Sequence, residues 1–258
     1  MRFSVRTIQL FCLVAGLAYL ALGVWSWKSL IGMLIAYTII FVMGVAIGLH
    51  RGLSHRLVDP DSKLGWLTLG FGTLSSLGRP VEWALVHRMH HPNSDQDSDP
   101  HSPVQQGFWK VLLNVWHLPE SSKPRLSLIR DLMTSRSVQF YQKYYYAVIS
   151  GYVVCLAALF GLPGVIFGYC WPVVMSVLGA SMVNAVCHRD GEAKDSLWVS
   201  LLTFGEGIHG RHHREPKTVD LSHGVYFDPS GWLLAKWTLG QEQQEGEVAW
   251  ALRQRKQK

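Results

Sequence analysis

"LIGMLIAYTIIFVMGVAIGLHRGLSH", residues 30–55, decides how the rest of the chain is read. From Leu30 to Leu49 it holds no Asp, Glu, Lys, Arg or His, and then His50, Arg51 and His55 follow within six residues. A stretch of about 20 apolar residues is what a helix needs to cross a hydrocarbon core. The first charge and the first two candidate metal ligands therefore arrive where such a helix would leave the bilayer.

Three more charge-free runs have similar length: Thr7–Trp25, Tyr146–Leu162 and Val165–Cys187. The first two of the four runs are joined by a short turn around Trp27 and Lys28, and the last two by Pro163-Gly164. The expected fold is an all-α integral membrane protein with four transmembrane helices in two hairpins, forming one domain over residues 1–258. Segments 50–145 and 188–258 would form a helical cap on one side. Leu64–Leu77 is too short to span, and its three glycines and four Ser/Thr residues suit a partly embedded segment.

The charges orient this arrangement. The chain has 24 Lys and Arg residues, and Lys28 is the one that falls in a hairpin turn. By the positive-inside rule the cap faces the cytoplasm, and the short loops lean toward a bacterial inner membrane. The net charge of +6 then reports topology. Nucleic acid is not an expected partner, because no basic run is interleaved with stacking aromatics. The tail "RQRKQK" (253–258) is either a contact to anionic headgroups or a solvated terminus. A cleaved signal peptide is the rival reading of the N-terminus, but the first apolar run is long for one and leads straight into a second span. Cys12, Cys155, Cys170 and Cys187 all lie in apolar runs without a C-x-x-C pair, so they read as small buried hydrophobes.

Nine of the twelve histidines form a pattern. His50 and His55 follow the second run, and His188 ends the fourth. "HRMHH" (87–91) and "HGRHH" (209–213) repeat one spacing. Positions i, i+3 and i+4 share a helix face, so each triplet presents three imidazoles together. His50 and His55, five apart, cannot share a narrow face on a regular α-helix. Either the helix bends or ends near Gly52, or each serves a different ion.

Nine imidazoles exceed one zinc site, which takes three or four ligands. H-E-x-x-H and clustered thiolates are absent. Two iron ions in a mainly imidazole shell fit best, with the triplets as two walls of one dinuclear site. Glu206, three residues before His209, reads as an acceptor for an imidazole N–H.

With these residues in place, the sequence resembles the membrane fatty acyl desaturases, in their acyl-CoA desaturase-like branch. The three histidine boxes of that family match "HRGLSH" (50–55), "HRMHH" and "HGRHH". The likeness extends through "DPHSPVQQGFWK" (99–110), "NAVCH" (184–188), "GEGI" (205–208) and "FDPSGWLLAKW" (227–237). Ile208 stands where the family usually has an aromatic, and Gly210-Arg211 replaces a common Asn pair; these departures bear on substrate choice rather than metal binding.

The resemblance implies metal ligation by His50, His55, His87, His90, His91, His188, His209, His212 and His213, with Asn184 acting through water. It leaves His101, His117 and His223 in surface or supporting positions. It also implies two iron ions, O2 as co-substrate, and a long-chain acyl-CoA or acyl-lipid substrate that gains a cis double bond, Δ9 being one position open. A separate electron-transfer protein of ferredoxin, rubredoxin or cytochrome b5 type would supply two electrons. A lipid hydroxylase using the same boxes, and a membrane zinc hydrolase or metal-binding protein, are the alternatives.

Arg51, Arg56, Arg79, Arg88 and Lys110 are candidate contacts to an anionic headgroup, solvated or lipid-facing charge being the plainer role. Ser102 and Pro103 suit the cap and first position of an amphipathic helix over Val104–Trp116.

Overall fold

The computed structural model describes residues 2–222 and 227–241. Among them the regular structure is helical, and a single antiparallel bridge, Asp195 to Ile208, stands outside any strand. Helix α1 covers Arg2–Ala21, and α2 runs from Trp27 to Ser54. Gly23, with φ of +66°, turns the chain between them. Ser26 caps α2 by accepting the Ser29 N–H at 3.2 Å.

Halfway along α2 the hydrogen-bond register changes. Trp27–Ile39 is α-helical, whereas Ile40–Ser54 is a 15-residue π-helix. Such i→i+5 bonding normally lasts one turn. Here it continues to the end, where the His55 N–H donates to His50 O at 3.2 Å. The helix runs two residues past Gly52 and ends at Ser54, near the expected point.

Helix α3 (Lys63–Leu74) lies against this segment at backbone contact. A Cβ on Gly44 would sit 2.4 Å from the Phe71 carbonyl carbon, and one on Gly48 would sit 2.6 Å from Thr68 O. Helices meet this closely only where small residues line the contact. Most of the segment expected to be partly embedded is thus sandwiched against α2.

Helix α4 (Pro80–His90) follows, then the short α5 (Pro103–Gln106) and α6 (Phe108–Leu112). Ser102 and Pro103 take the expected cap and first positions. The single helix expected over Val104–Trp116 is not formed, because Gly107 adopts φ of +93°, which a right-handed helix cannot contain. A 3₁₀ turn at Leu126–Leu132 and α7 (Arg136–Lys143) complete the middle segment.

Helix α8 (Tyr145–Val165) continues through a π segment, Ile166–Cys170, into α9 (Trp171–Val186). The chain reverses at Gly161, whose φ of 65° and ψ of −159° are non-helical. This corner lies two residues before the expected one, with Pro163 starting the returning limb, where its missing N–H costs nothing. Helices α10 (Leu197–Leu202), α11 (His209–Arg214) and α12 (Pro229–Gln241) close the described fold.

Trp27–Ser54 and Tyr145–Val186 are each long and apolar enough to cross a membrane, the second containing both limbs about Gly161. Val5–Ala21 is apolar and shorter. The long helices face outward with apolar side chains: Leu34 is 50% exposed, Val154 64% and Leu159 73%. A water-soluble core helix would bury these residues. Inside, Cys12, Ile149, Phe167 and Val173 pack α1, α8 and the returning limb together, and Leu30 and Met33 of α2 pack against them. A second core of Leu49, Leu53, Leu69, Ala84 and Val138 joins α2 to α3, α4 and α7.

Gly44→Ala is expected to lower the stability of the detergent-purified protein by about 1–3 kcal/mol through forced separation of α2 and α3. Gly32→Ala, with nothing within 4 Å of its new Cβ, should be neutral or slightly stabilising. Parallel thermal unfolding of the two variants checks both.

Candidate metal centre

Four helix ends deliver the histidines to one place. His50 and His55 come from the end of α2, and His87, His90 and His91 from the last turn of α4. His188 follows α9, and His209, His212 and His213 form α11. Their ring nitrogens fall into two groups. His50, His55, His87, His91 and His212 form one; His90, His188, His209 and His213 form the other. Within each group the candidate ligand atoms lie within 4.8 Å of one another.

The π-helical register brings His50 and His55 into the same group, because i→i+5 bonding stacks residues five apart. Separate ions for the two are thus unnecessary. The triplets then exchange members. His87 and His91 go to the first group and His90 to the second, while His209 and His213 go to the second and His212 to the first. Each triplet reaches both groups, with i and i+4 on one side and i+3 on the other.

Nε2 atoms face one another in both groups: His55 to His87 at 2.8 Å, His50 to His212 at 3.0 Å, and His90 to His213 at 3.2 Å. His188 Nε2 is buried with no hydrogen-bond partner in the structure. Burial first, and neighbouring imidazoles second, hold His55, His87, His90, His209 and His212 well below the ordinary value of 6.5. The same causes carry His91 down to about 3. These rings are therefore neutral at pH 7, with lone pairs to offer. Such a convergence of buried neutral nitrogens fits metal ions, and its number and ligand type fit two imidazole-bound iron ions.

Carboxylates orient the rings from behind. Asp99 accepts from His90 Nδ1 at 2.9 and 3.0 Å, and Asp95 from His188 Nδ1 at 2.8 Å. Asp99 is fully buried and also accepts the backbone N–H groups of Asp95 and His101. Glu206 pairs with His50 Nδ1, so its partner is the first box rather than His209. With Nδ1–H committed, Nε2 is left as the inward lone pair. Burial alone would raise Glu206, but His50 and Arg51 hold it below the usual carboxylate range.

Asp95 and Asp99 were missed as supporting residues in the sequence. Their signal was present in "NSDQDSDPH" (93–101), a run of acids directly after a histidine box, since ligating histidines need acceptors. His101 also joins this layer, its ring 4.4 Å from His90. His117 is exposed, and His223 lies outside the described residues, as does the basic tail.

The arginines separate. Arg51 is not a headgroup contact: it is 2% exposed, with its guanidinium on Glu206 and on both oxygens of Asp228 at 3.0 and 2.9 Å. Arg88 is likewise committed, to Asp131 at 2.7 Å and to the Leu53 and Leu128 carbonyls. Both were drawn inward by carboxylates distant in sequence. Arg56 reaches the same Asp131 at 2.8 Å while remaining partly exposed. Arg79 lies over the Tyr146 ring at 5.2 Å, and Lys110 is exposed.

A cavity open to solvent runs past the histidines. His50, His87 and His209 stand in its wall, as does Asn184, one helical turn before His188. The Trp83 ring stacks on His87 at 5.2 Å. Phe41, Val45, Leu77 and Val86 make much of the remainder apolar, and Arg6, Gln9 and Asn114 bring polar groups to it.

Three outcomes test the centre. Asp99→Asn should weaken metal retention by about 10–100-fold, read as metal per protein against chelator concentration. Lowered imidazole pKa values mean that below about 6.5 the unfolded chain binds more protons than the folded one. Stability should therefore rise with pH up to that value and level off above it. Metal content should fall on acidification from pH 7 to pH 5, followed by elemental analysis after buffer exchange.

The model of the family "Fatty acid desaturase" matches residues 25–223. The sn-1 stearoyl-lipid 9-desaturase of Anabaena variabilis is 31% identical over 73% of this chain and 72% of its own length. That of Synechocystis sp. is 33% identical over 78% and 65%. An acyl-CoA C20 Delta5-desaturase of Anemone leveillei is 29% identical over 78% and 68%. The chain thus spans about two thirds of the length of these relatives. Family match, histidine groups and apolar cavity agree: the chain belongs to the fatty acid desaturase family and is a fatty acyl desaturase.

Proposed function

We propose that this enzyme places a cis double bond, at Δ9, in a long acyl chain esterified to a membrane lipid. The observation that carries the reading is the cavity, in which both histidine groups open onto an apolar wall. The lipid carrier and bond position are supported by the two stearoyl-lipid 9-desaturases among the relatives. The four apolar limbs span the bilayer as two hairpins, a reading supported by their outward apolar faces and by the scarcity of Lys and Arg at their turns.

The nine histidines would hold two iron ions, His50, His55, His87, His91 and His212 for one and His90, His188, His209 and His213 for the other, with Asn184 near one of them through water. When bound, the metal supplies the oxidation of two adjacent methylenes at the expense of O2. The substrate gives two hydrogens, an external donor gives two electrons, two further protons are taken up, and two waters form. The residues of this chain do the rest. Asp95, Asp99 and Glu206 hold the imidazoles in one tautomer. Trp83 and its apolar neighbours exclude water and confine the chain.

A saturated chain has no polar handle at the reacting carbon, so position is measured from the ester end. Arg6, Gln9 and Asn114 supply polar groups for that end, and the accessible Arg56, Arg79 and Lys110 are the remaining headgroup candidates. The donor is a separate protein of ferredoxin, rubredoxin or cytochrome b5 type.

Fatty acid profiling by mass spectrometry, with a working electron donor, tests the reading. Wild type should yield Δ9 monounsaturated chains first in the lipid fraction, and His90→Ala, His91→Ala none at matched protein level. Products appearing first in acyl-CoA would move the carrier. Hydroxylated chains would replace desaturation by hydroxylation as the reaction.

A further inference from the structure

Between His188 and the third histidine box the chain builds a surface unsuited to water. From Ser196 to Gly205, "SLWVSLLTFG", there is no charged residue. Helix α10 buries Val199 and Ser200 on one side and turns Leu197, Trp198, Leu201 and Leu202 outward, each 51–60% exposed. Phe227, 49% exposed, is tied to it by the Ser200 hydroxyl, which donates to Phe227 O at 2.8 Å. A contiguous apolar face of this kind marks a contact with something apolar.

Its depth identifies the contact. The Tyr37 hydroxyl donates to Leu202 O at 2.7 Å, and the Phe204 ring packs on Tyr37 and Phe41 with centroids at 5.6 and 6.2 Å. Tyr37 lies seven residues after the start of the charge-free run at Leu30 and twelve before its end at Leu49, toward the middle of a stretch long enough to cross the hydrocarbon core. At the same level α2 itself turns Leu34 and Ile35 outward, 50% and 55% exposed.

The backbone is finished accordingly. Carbonyls at a helix end immersed in lipid have no water to bond, so the protein must satisfy them. Val199 O accepts from the Thr203 N–H and hydroxyl at 2.9 and 2.6 Å. Ser200 O accepts from the Gly205 N–H at 3.0 Å, and Thr203 O from that of Glu206 at 3.4 Å. Leu202 O is taken by Tyr37, and Phe204 O by the Ser230 hydroxyl at 2.8 Å.

We propose that residues 197–204 are a re-entrant wedge, immersed beside α2 in the hydrocarbon of the leaflet that faces the histidine centre. The segment dips into the lipid and returns at Gly205, whose φ of +110° makes the turn into Glu206 and the third box. The wedge thereby fastens α11 to the bilayer, and its Phe204 backs Phe41 of the cavity wall. It rests on the four-span reading above. A water-facing loop would need neither the charge-free decamer nor a tyrosine from mid-span to cap it.

Nitroxide accessibility in phosphatidylcholine vesicles tests this on the full chain, in a Cys155→Ala background because Cys155 is exposed. Labels at Leu201→Cys and, independently, Leu197→Cys are compared with Leu159→Cys on α8 and Glu120→Cys on the cap. Collision with O2, which concentrates in hydrocarbon, is read against collision with a water-soluble nickel chelate. The expected O2-to-nickel ratio at 201 is close to that at 159 and several-fold above that at 120. A water-like ratio at 201 with a lipid-like ratio at 159 overturns the wedge and leaves the spans standing. Exclusion of both colliders at 201 and 197 also overturns it, since the face would then be covered by protein. A water-like ratio at 159 removes the four-span reading and the wedge with it.

Discussion

Arg51 is a positive charge with almost no access to solvent, and its neutralisation ties together three distant parts of the chain. Its own helix supplies the first histidine box, Glu206 precedes the third, and Asp228 opens α12. Removing one side of such a buried pair typically costs about 3–5 kcal/mol, so the three segments are not independent. The glycines around them follow from the same contact. A Cβ on Gly205 would lie 2.2 Å from one Asp228 oxygen, and one on Gly231 would lie 2.3 Å from the other. Glu206 then passes the constraint to the centre, because the carboxylate that neutralises Arg51 also holds His50.

Helix register does comparable work at shorter range. An α-helical α2 would turn His50 and His55 apart, whereas the π segment stacks them on one side. The α-helical triplets of α4 and α11 each split two and one, so that neither group is built from a single element. A centre assembled in this way senses the relative placement of α2, α4, α9 and α11 together. The close glycine-lined contact of α2 with α3 and the packing of Leu49, Leu53 and Ala84 keep that placement rigid.

Burial serves the chemistry twice. It holds the imidazole pKa values down, which leaves their lone pairs free. It also leaves a cavity whose wall changes from imidazole to hydrocarbon within a few residues, from His50 and His87 to Val45 and Val86. The wall offers an unactivated methylene shape alone, and the carboxylates behind the rings fix the orientation of the imidazoles.

The sequence by itself determined the helical class, the apolar limbs, the nine histidines and the chemistry they suit, because these depend on composition and on spacing within single helices. Ser102 as a cap and Glu206 as an imidazole acceptor were legible for the same local reason. Tertiary structure alone decided the π register that unites His50 with His55, the break at Gly107, and the sharing of each triplet between two groups. It also decided the fates of Arg51 and Arg88. Nothing near either arginine in sequence announces its burial, since the neutralising carboxylates, Asp228 and Asp131, lie 177 and 43 residues away. Local patterns report which groups are present and which way a helix turns them. Whether a charge meets water or a carboxylate depends on which distant segments pack beside it.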